Sequence, residues 1–217
     1  MKTATPGALL ALAMTLGGCV QIHPDTPLTA AADGGRLDVV RTLLAQGIGP
    51  DDQDSHGLTP LVWASRKGHV EVVKALLSAG ADPDSRDGFV NGWTPMIHAI
   101  HTDQTKVALA FIEAGADVNA TSPNGGTALM MAAGEGNLEV VRALLDKGAD
   151  PRAETHVRTT ALTNAVACGQ TEIVRILLKN APDLKPGGAM EDKLMMLLAR
   201  LRGRREIVKM IQGTSAR

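Results

Sequence analysis

One pattern of about 33 residues recurs along the chain and limits what it can fold into. It reads "TPLTAAADGGRLDVVRTLLAQG" at 26–47, "TPLVWASRKGHVEVVKALLSAGAD" at 59–82 and "TPMIHAIHTDQTKVALAFIEAGAD" at 94–117. It returns as "TALMMAAGEGNLEVVRALLDKGAD" at 127–150 and "TALTNAVACGQTEIVRILLKNAPD" at 160–183. Threonines 26, 59, 94, 127 and 160 are spaced by 33, 35, 33 and 33 residues. A degenerate sixth unit, "KLMMLLARLRGRREIVKMIQG" at 193–213, keeps the pattern from Gly203 onward. A unit this short cannot bury an apolar face alone, so neighbours must stack and share a core.

Each unit predicts two short helices. Thr is a good N-cap because its hydroxyl can accept a backbone N–H of the first turn. Pro27, Pro60 and Pro95 follow at the first helical position, where no N–H is needed. Gly35, Gly68, Gly136 and Gly169 stop the first helix; the third unit has Asp103 there and is expected to end less cleanly. The second helix carries one apolar stripe, as in Val72, Val73, Leu76 and Leu77. It is expected to stop at Gly47, Gly80, Gly115, Gly148 and finally Asn180, residue types that tolerate the left-handed ending. Small residues such as Ala31-Ala32 and Ala132-Ala133 let first helices approach closely.

These units resemble the ankyrin repeat, with its T-P-L-H-x-A-A-x-x-G-H and G-A-D-x-N signatures. The resemblance implies an all-α solenoid of stacked helix-turn-helix repeats joined by β-turn or hairpin connections. Five repeats span 26–183, and 184–217 form a degenerate sixth repeat or C-terminal cap. One departure runs throughout. Thr29, Val62, Ile97, Met130 and Thr163 replace the His of T-P-L-H, so the hydrogen bonds of that His are missing and softer turns are expected. In the cap, Arg200, Arg202, Arg204, Arg205 and Lys209 form a basic cluster, read as a solvated end or as a contact for anionic headgroups.

The N-terminus carries a different signal. Met1-Lys2 gives a positive start, and "ALLALAMTL" at 8–16 is a short apolar run. A spanning helix needs about 20 apolar residues, so this run has the length of a signal-peptide core. Leu16-Gly17-Gly18-Cys19 resembles the bacterial lipobox. The resemblance implies a signal peptide over 1–18, cleavage before Cys19, and lipid on the Cys19 thiol and the new amine. Several acyl chains on one residue anchor firmly, whereas one binds only marginally. Residues 19–25 then form a tether; the six residues from Val20 to Asp25 reach at most ~20 Å. In Gram-negative lipoproteins, Asp after the cysteine signals inner-membrane retention. Val20 stands there, which implies the outer membrane, facing the periplasm. Cys168 is the other of the two cysteines, so a lipidated Cys19 leaves it no disulfide partner in the chain.

Composition narrows the function. The net charge of −1 gives no general field for nucleic acid. No catalytic set emerges. His98, His101 and Asp103 are local neighbours, but a metal usually wants three or four ligands with supporting contacts. They read as surface histidines, and neither metal nor cofactor is expected. His69 is the G-H residue of its repeat and reads as structural. "PNGG" at 123–126 and "KPGG" at 185–188 lack the strand and helix Lys of a phosphate loop. The chain reads as non-catalytic.

Binding is the remaining role. In ankyrin proteins, partners contact the hairpin tips and the exposed side of the first helices, which line a concave face. Matching positions here include Arg66, Lys67, His98 and His101. Aromatics are 2% of the chain, with no Tyr. Phe111 aligns with Leu76 and reads as core; Trp63, Phe89 and Trp93 fall on hairpin or first-helix positions of units two and three. The hairpin "SRDGFVNGW" is also two residues longer than its neighbours. Trp63, Arg66, Lys67, Phe89, Trp93, His98 and His101 are therefore the candidate partner-binding residues. The competing reading has both Trp rings covering extra core under the longer hairpin. The expectation is an envelope-tethered protein that binds another protein, as an immunity protein occluding a secreted antibacterial effector. The alternative is a periplasmic scaffold or stress-protective partner of the cell's own envelope protein.

Overall fold

The five N-cap threonines do what their register predicts. In the computed structural model, which describes residues 23–88, 91–181 and 204–214, each has an extended backbone and accepts the N–H three residues on. They start α1 (Pro27–Asp33), α3 (Pro60–Lys67), α5 (Pro95–His101), α7 (Ala128–Glu135) and α9 (Ala161–Cys168). Each is followed by a second helix: α2 (Leu37–Ala45), α4 (Val70–Ser78), α6 (Thr105–Ala114), α8 (Leu138–Asp146) and α10 (Thr171–Asn180). α11 (Arg205–Thr214) belongs to the sixth unit. The described residues form no β-strand; turns make the connections. The fold is a helical repeat stack of the solenoid class.

The helices form two compact bodies, Cys19–Pro123 and Asn124–Arg217, besides residues 1–18, which lie outside the described residues. In the first body α1 packs on α3 and α3 on α5, while α2 packs on α4 and α4 on α6. Its interior is largely aliphatic, built from residues such as Leu28, Leu61, Leu76 and Ile97, with Phe111 fully enclosed as its alignment predicts. In the second body α7 packs on α9, α8 on α10 and α10 on α11, around Leu129, Leu144, Leu162, Leu177 and Ile207.

Three expectations change. Asp103 does not blunt the end of α5. It takes the left-handed conformation itself, with φ 60°, and keeps the turn in the register of Gly68, whose φ is 80°. Asp is one of the few side chains to visit that region. Asn180 is not a left-handed stop. α10 runs through it, its side-chain amide donates to the Ile176 carbonyl at 2.9 Å, and Ala181 follows with φ −141° and ψ 81°. Arg204 is not a solvated end charge. Its guanidinium donates to the carbonyls of Val166 and, at 2.8 Å, Ala167, at the C-terminal end of α9, where orphan carbonyls and the helix dipole favour a cation. Arg205 and Lys209 are exposed; Arg200 and Arg202 lie outside the described residues.

Neighbouring repeats are tied at two further registers. The His69 ring nitrogen lies 2.8 Å from the Asp33 carbonyl, the structural role its G-H position predicts. Asp51 accepts the Asp82 N–H on both oxygens at 3.1 Å, and Asp84 accepts that of Asp117 at 3.1 and 3.2 Å. Partial burial, reinforced by the charges of Asp117 and Asp82, holds the Asp84 carboxyl above the usual range against its backbone hydrogen bond.

One tip residue is conformationally misplaced. Two residues before the N-cap Thr stand Gly57, Gly92 and Gly125, with φ of 69°, 58° and 85°. Arg158 holds the same register with φ 60°. A side chain there costs about 1–2 kcal/mol, and the exposed Arg158–Glu154 pair at 3.5 Å returns little. Arg158→Gly is therefore expected to stabilise the protein, by about 0.5 kcal/mol after the extra freedom glycine adds to the unfolded chain. Chemical denaturation measures this; a loss of stability would contradict it.

Candidate functional site

The tips are not left unsupported by the missing histidine. In the first and fifth repeats the replacement residue completes a reciprocal cap: the Thr26 N–H donates to Thr29 Oγ1 at 3.1 Å, and the Thr160 N–H to Thr163 Oγ1 at 2.7 Å. A buried polar residue ahead of the N-cap also gathers the tip backbone in three repeats. Asp54, 6% exposed, accepts the N–H groups of His56 and Leu58 on Oδ1, both at 3.0 Å. Asp87 is equally buried. Its Oδ1 accepts the N–H groups of Asn91 and Gly92 at 3.3 and 3.0 Å, and its Oδ2 that of Trp93 at 3.3 Å. Thr155 plays the same part in the fifth repeat, accepting the Thr159 N–H at 3.0 Å.

Each aspartate is also bonded by a ring on the first helix beneath it. The Trp63 indole N–H donates to Asp54 Oδ2 at 2.7 Å. The His98 Nε2 lies 2.6 Å from Asp87 Oδ2. Trp63 and His98 share one register, four residues after the N-cap Thr. The two devices are therefore the same construction with different rings. The extra two residues of the longer tip lie between Asp87 and Thr94 and are absorbed by the loop that Asp87 clamps.

This corrects two of the candidate contact residues. Trp63 is 2% exposed and packed, because the tip folds over it through Asp54 and Arg66 covers its ring, with the guanidinium carbon 5.0 Å from the ring centroid. His98 is not a surface histidine; its side chain is 12% exposed, with Asp87 lying over it. Trp63 and His98 hold the site in shape. Phe89 lies outside the described residues.

The remaining candidates reach solvent. Trp93 is half-buried. Its ring meets those of His98 and His101 edge-on, with centroids at 5.3 and 5.1 Å. His101 is exposed and Arg66 partly so. Lys67 is exposed and reaches Asp33 at 3.6 Å, an ion pair of little energetic weight. Trp93 and His101 thus meet at the third tip and the end of α5, and Arg66 on α3 lies close enough to His98 for its charge to act there, all within a single compact body. Sequence reasoning missed Asp54 and Asp87, although the register five residues before the N-cap Thr is small and polar in Asp54, Ser122 and Thr155.

His98 titrates abnormally. Burial lowers its proton affinity most, Asp87 opposes this, and the charges of Arg66 and His101 add to the lowering; the net direction is down from the ordinary value of 6.5. The sign follows from linkage. As the pH falls through 6.5, the unfolded chain takes up a proton that folded His98 still refuses, so folding stability drops. The thermal midpoint is expected to fall between pH 7 and pH 5, and to fall less in His98→Gln, which keeps a donor for Asp87 but cannot titrate. Equal falls in both proteins would contradict this.

Among the described residues no three His, Cys, Asp or Glu side chains converge as metal ligands would, and no helix is long and apolar enough to cross a membrane. Half-buried Cys168 ends α9. The family model described as Ankyrin repeats (3 copies) matches residues 8–87 and 85–155. No curated protein matches the chain. Ankyrin-repeat proteins are generally non-catalytic protein-interaction modules. With the repeat signatures, the helix pairs and a family match over more than half its length, the chain belongs to the ankyrin-repeat family, and its repeats give it a protein-binding role.

Proposed function

We propose that this protein is a lipid-tethered, non-catalytic binding protein of the bacterial envelope, which grips a partner protein at the face around Trp93 and occludes it. The observation that carries the reading is the enlarged third tip. Its loop is clamped by a buried aspartate and presents a half-buried tryptophan against an exposed histidine, while Arg66 on the neighbouring first helix is held over the Trp63 ring. Aromatic and Arg anchors held by a rigid frame are the usual energetic centre of a protein interface. The tether reading rests on the order of charge, apolar run, glycines and Cys19 at the N-terminus. The occluded partner is a secreted antibacterial effector entering the periplasm, for which a tether on the outer membrane places the inhibitor at the point of entry.

The test is capture. Bait produced without residues 1–19 is exposed to periplasmic and secreted protein from the source strain, beside a Trp93→Ala bait. One secreted lytic protein, retained by the first and lost by the second, is the expected result. Resident envelope proteins on both baits would favour the scaffold role and overturn this one. The tether is tested separately. Cys19→Ser is expected to abolish incorporation of labelled fatty acid and release the protein from membranes; unchanged retention would contradict it.

A further inference from the structure

We propose that the outer end of the first repeat rests on the phospholipid surface of the membrane to which Cys19 tethers the chain. Val39, Leu43 and Ile48 sit at the boundary of acyl chains and headgroups, and Arg36 meets a lipid phosphate. This rests on the tether given above and adds how the tethered repeats stand.

The first repeat carries the outer face of an internal one. Val72, Val107, Val140 and Ile173 hold the register of Val39 in the later repeats and are at most 2% exposed; Val39 is 39% exposed. Leu43 is half-buried, whereas Leu76, Phe111, Leu144 and Leu177 at its register are fully enclosed. Pro27 is exposed, whereas Pro60 and Pro95 are buried. Ile48 is half-buried at the register of buried Ala81 and Ala116. Val39 and Leu43, four apart, share one stripe of α2, and exposed Gln46 continues it. A solenoid end in water needs a polar outer face, and this one is aliphatic. Arg36 repeats the pattern in polar form, at the register just before each second helix. There the His69 ring lies 2.8 Å from the Asp33 carbonyl, and Arg204 donates to the Val166 and Ala167 carbonyls, each on the first helix of the preceding repeat. Arg36 has no such helix before it among the described residues, and its guanidinium makes no hydrogen bond or ion pair with them. A guanidinium fork fits phosphate with two parallel bonds. Exposed Asp38 on the same helix is turned about 100° from Val39, and Asp25 accepts the Ser55 N–H at 3.1 Å.

The chain ahead of this face says what covers it. Residues 19–25 lead from the anchor directly into Thr26 and Pro27, and six residues reach at most ~20 Å, so the face is held beside the bilayer. A few aliphatic side chains alone bind a membrane weakly. A tether makes the contact intramolecular, and weak apolar burial then suffices. With the first repeat on lipid, α1, α3 and α5 follow one another away from the surface in their packing order. The Trp93 tip then stands two repeats from the membrane, open to a periplasmic partner.

The full chain, expressed in its own envelope with Cys168→Ser, receives one new cysteine: Val39→Cys, Gln46→Cys or, on α6, the exposed Glu113→Cys. Lipid on the Cys19 thiol leaves the new cysteine as the one labelled. Each protein is labelled with a nitrobenzoxadiazole dye and reconstituted in phosphatidylethanolamine–phosphatidylglycerol vesicles, with or without nitroxide on the acyl chains. The dyes at Val39 and Gln46 are expected to be quenched at least about threefold more than the dye at Glu113. Arg36→Glu is expected to lower the quenching at Val39 by about half. Circular dichroism checks folding; if Val39→Cys disturbs it, the already exposed Gln46 site decides. Protein that floats with the vesicles but is quenched equally at all three sites overturns the inference and leaves the tether standing. A Val39 dye shielded from aqueous iodide yet untouched by nitroxide lipid also overturns it, because protein then covers the face. That cover is a second copy if cross-linking yields dimers, or residues 1–18 if mass spectrometry finds them retained, in which case the tether falls as well. Protein that does not float with the vesicles overturns tether and inference together.

Discussion

Asp87→Ala is expected to destabilise the body formed by Cys19–Pro123 by about 3 kcal/mol and to abolish partner binding at the Trp93 face. The size follows from what the carboxylate holds. It accepts from Asn91, Gly92 and Trp93 and pairs with the His98 ring, in a site where Asp87 itself is 6% exposed. A buried polar group left unsatisfied costs about 1–3 kcal/mol. Part of the loop would regain water on opening, so the total stays well below the sum of four such penalties. The binding loss follows from the Trp93 N–H: without that bond the ring is no longer set against His98 and His101. Asp87→Asn separates the two effects. It keeps one acceptor oxygen and is expected to cost about half as much stability. Denaturant titration beside partner binding reads both, and an Asp87→Ala protein of wild-type stability would contradict the clamp.

Trp63→Ala is the second large effect, expected at about 3–5 kcal/mol, the range for truncating a buried aromatic residue. The ring is 2% exposed, its N–H is bonded to Asp54 at 2.7 Å, and Arg66 lies over it. Removal opens a cavity, orphans a carboxylate oxygen and frees the Arg66 side chain. Trp93→Ala should behave oppositely. The half-buried ring is expected to cost only about 1 kcal/mol in stability and most of the binding. Measured together by denaturation and binding, the two tryptophans should therefore dissociate. Near-native stability for Trp63→Ala would refute the packing assigned to it.

What could be read from the residues alone was whatever is set locally. Thr59 caps α3 through its own hydroxyl and a neighbouring N–H, Pro60 has its φ fixed for the first turn, and Gly68 tolerates the left-handed turn. Repetition of such signals at one spacing also fixes the stacking, since each unit needs the next to cover its apolar face. Asp103 shows the limit of residue typing: it was expected to disturb the turn and instead adopts the same conformation as the glycines. Burial on the first helices was not legible. Trp63 and His98 point toward a tip whose position depends on Asp54 and Asp87 turning inward, and an acidic residue in a polar loop reads as solvated. The register common to Asp54, Ser122 and Thr155 carried that signal. Of the seven residues expected to contact a partner, Trp93, Arg66, Lys67 and His101 reach solvent, while Trp63 and His98 build the frame that holds them; Phe89 lies outside the described residues.

The most direct measurement is hydrogen exchange of the full chain with and without the captured partner. Slowed exchange confined to the third tip and the facing turns of α3 and α5, with α8 and α10 unchanged, is the predicted result. Protection centred on the second helices, or none near Trp93, would contradict the claim that this face is where the protein binds.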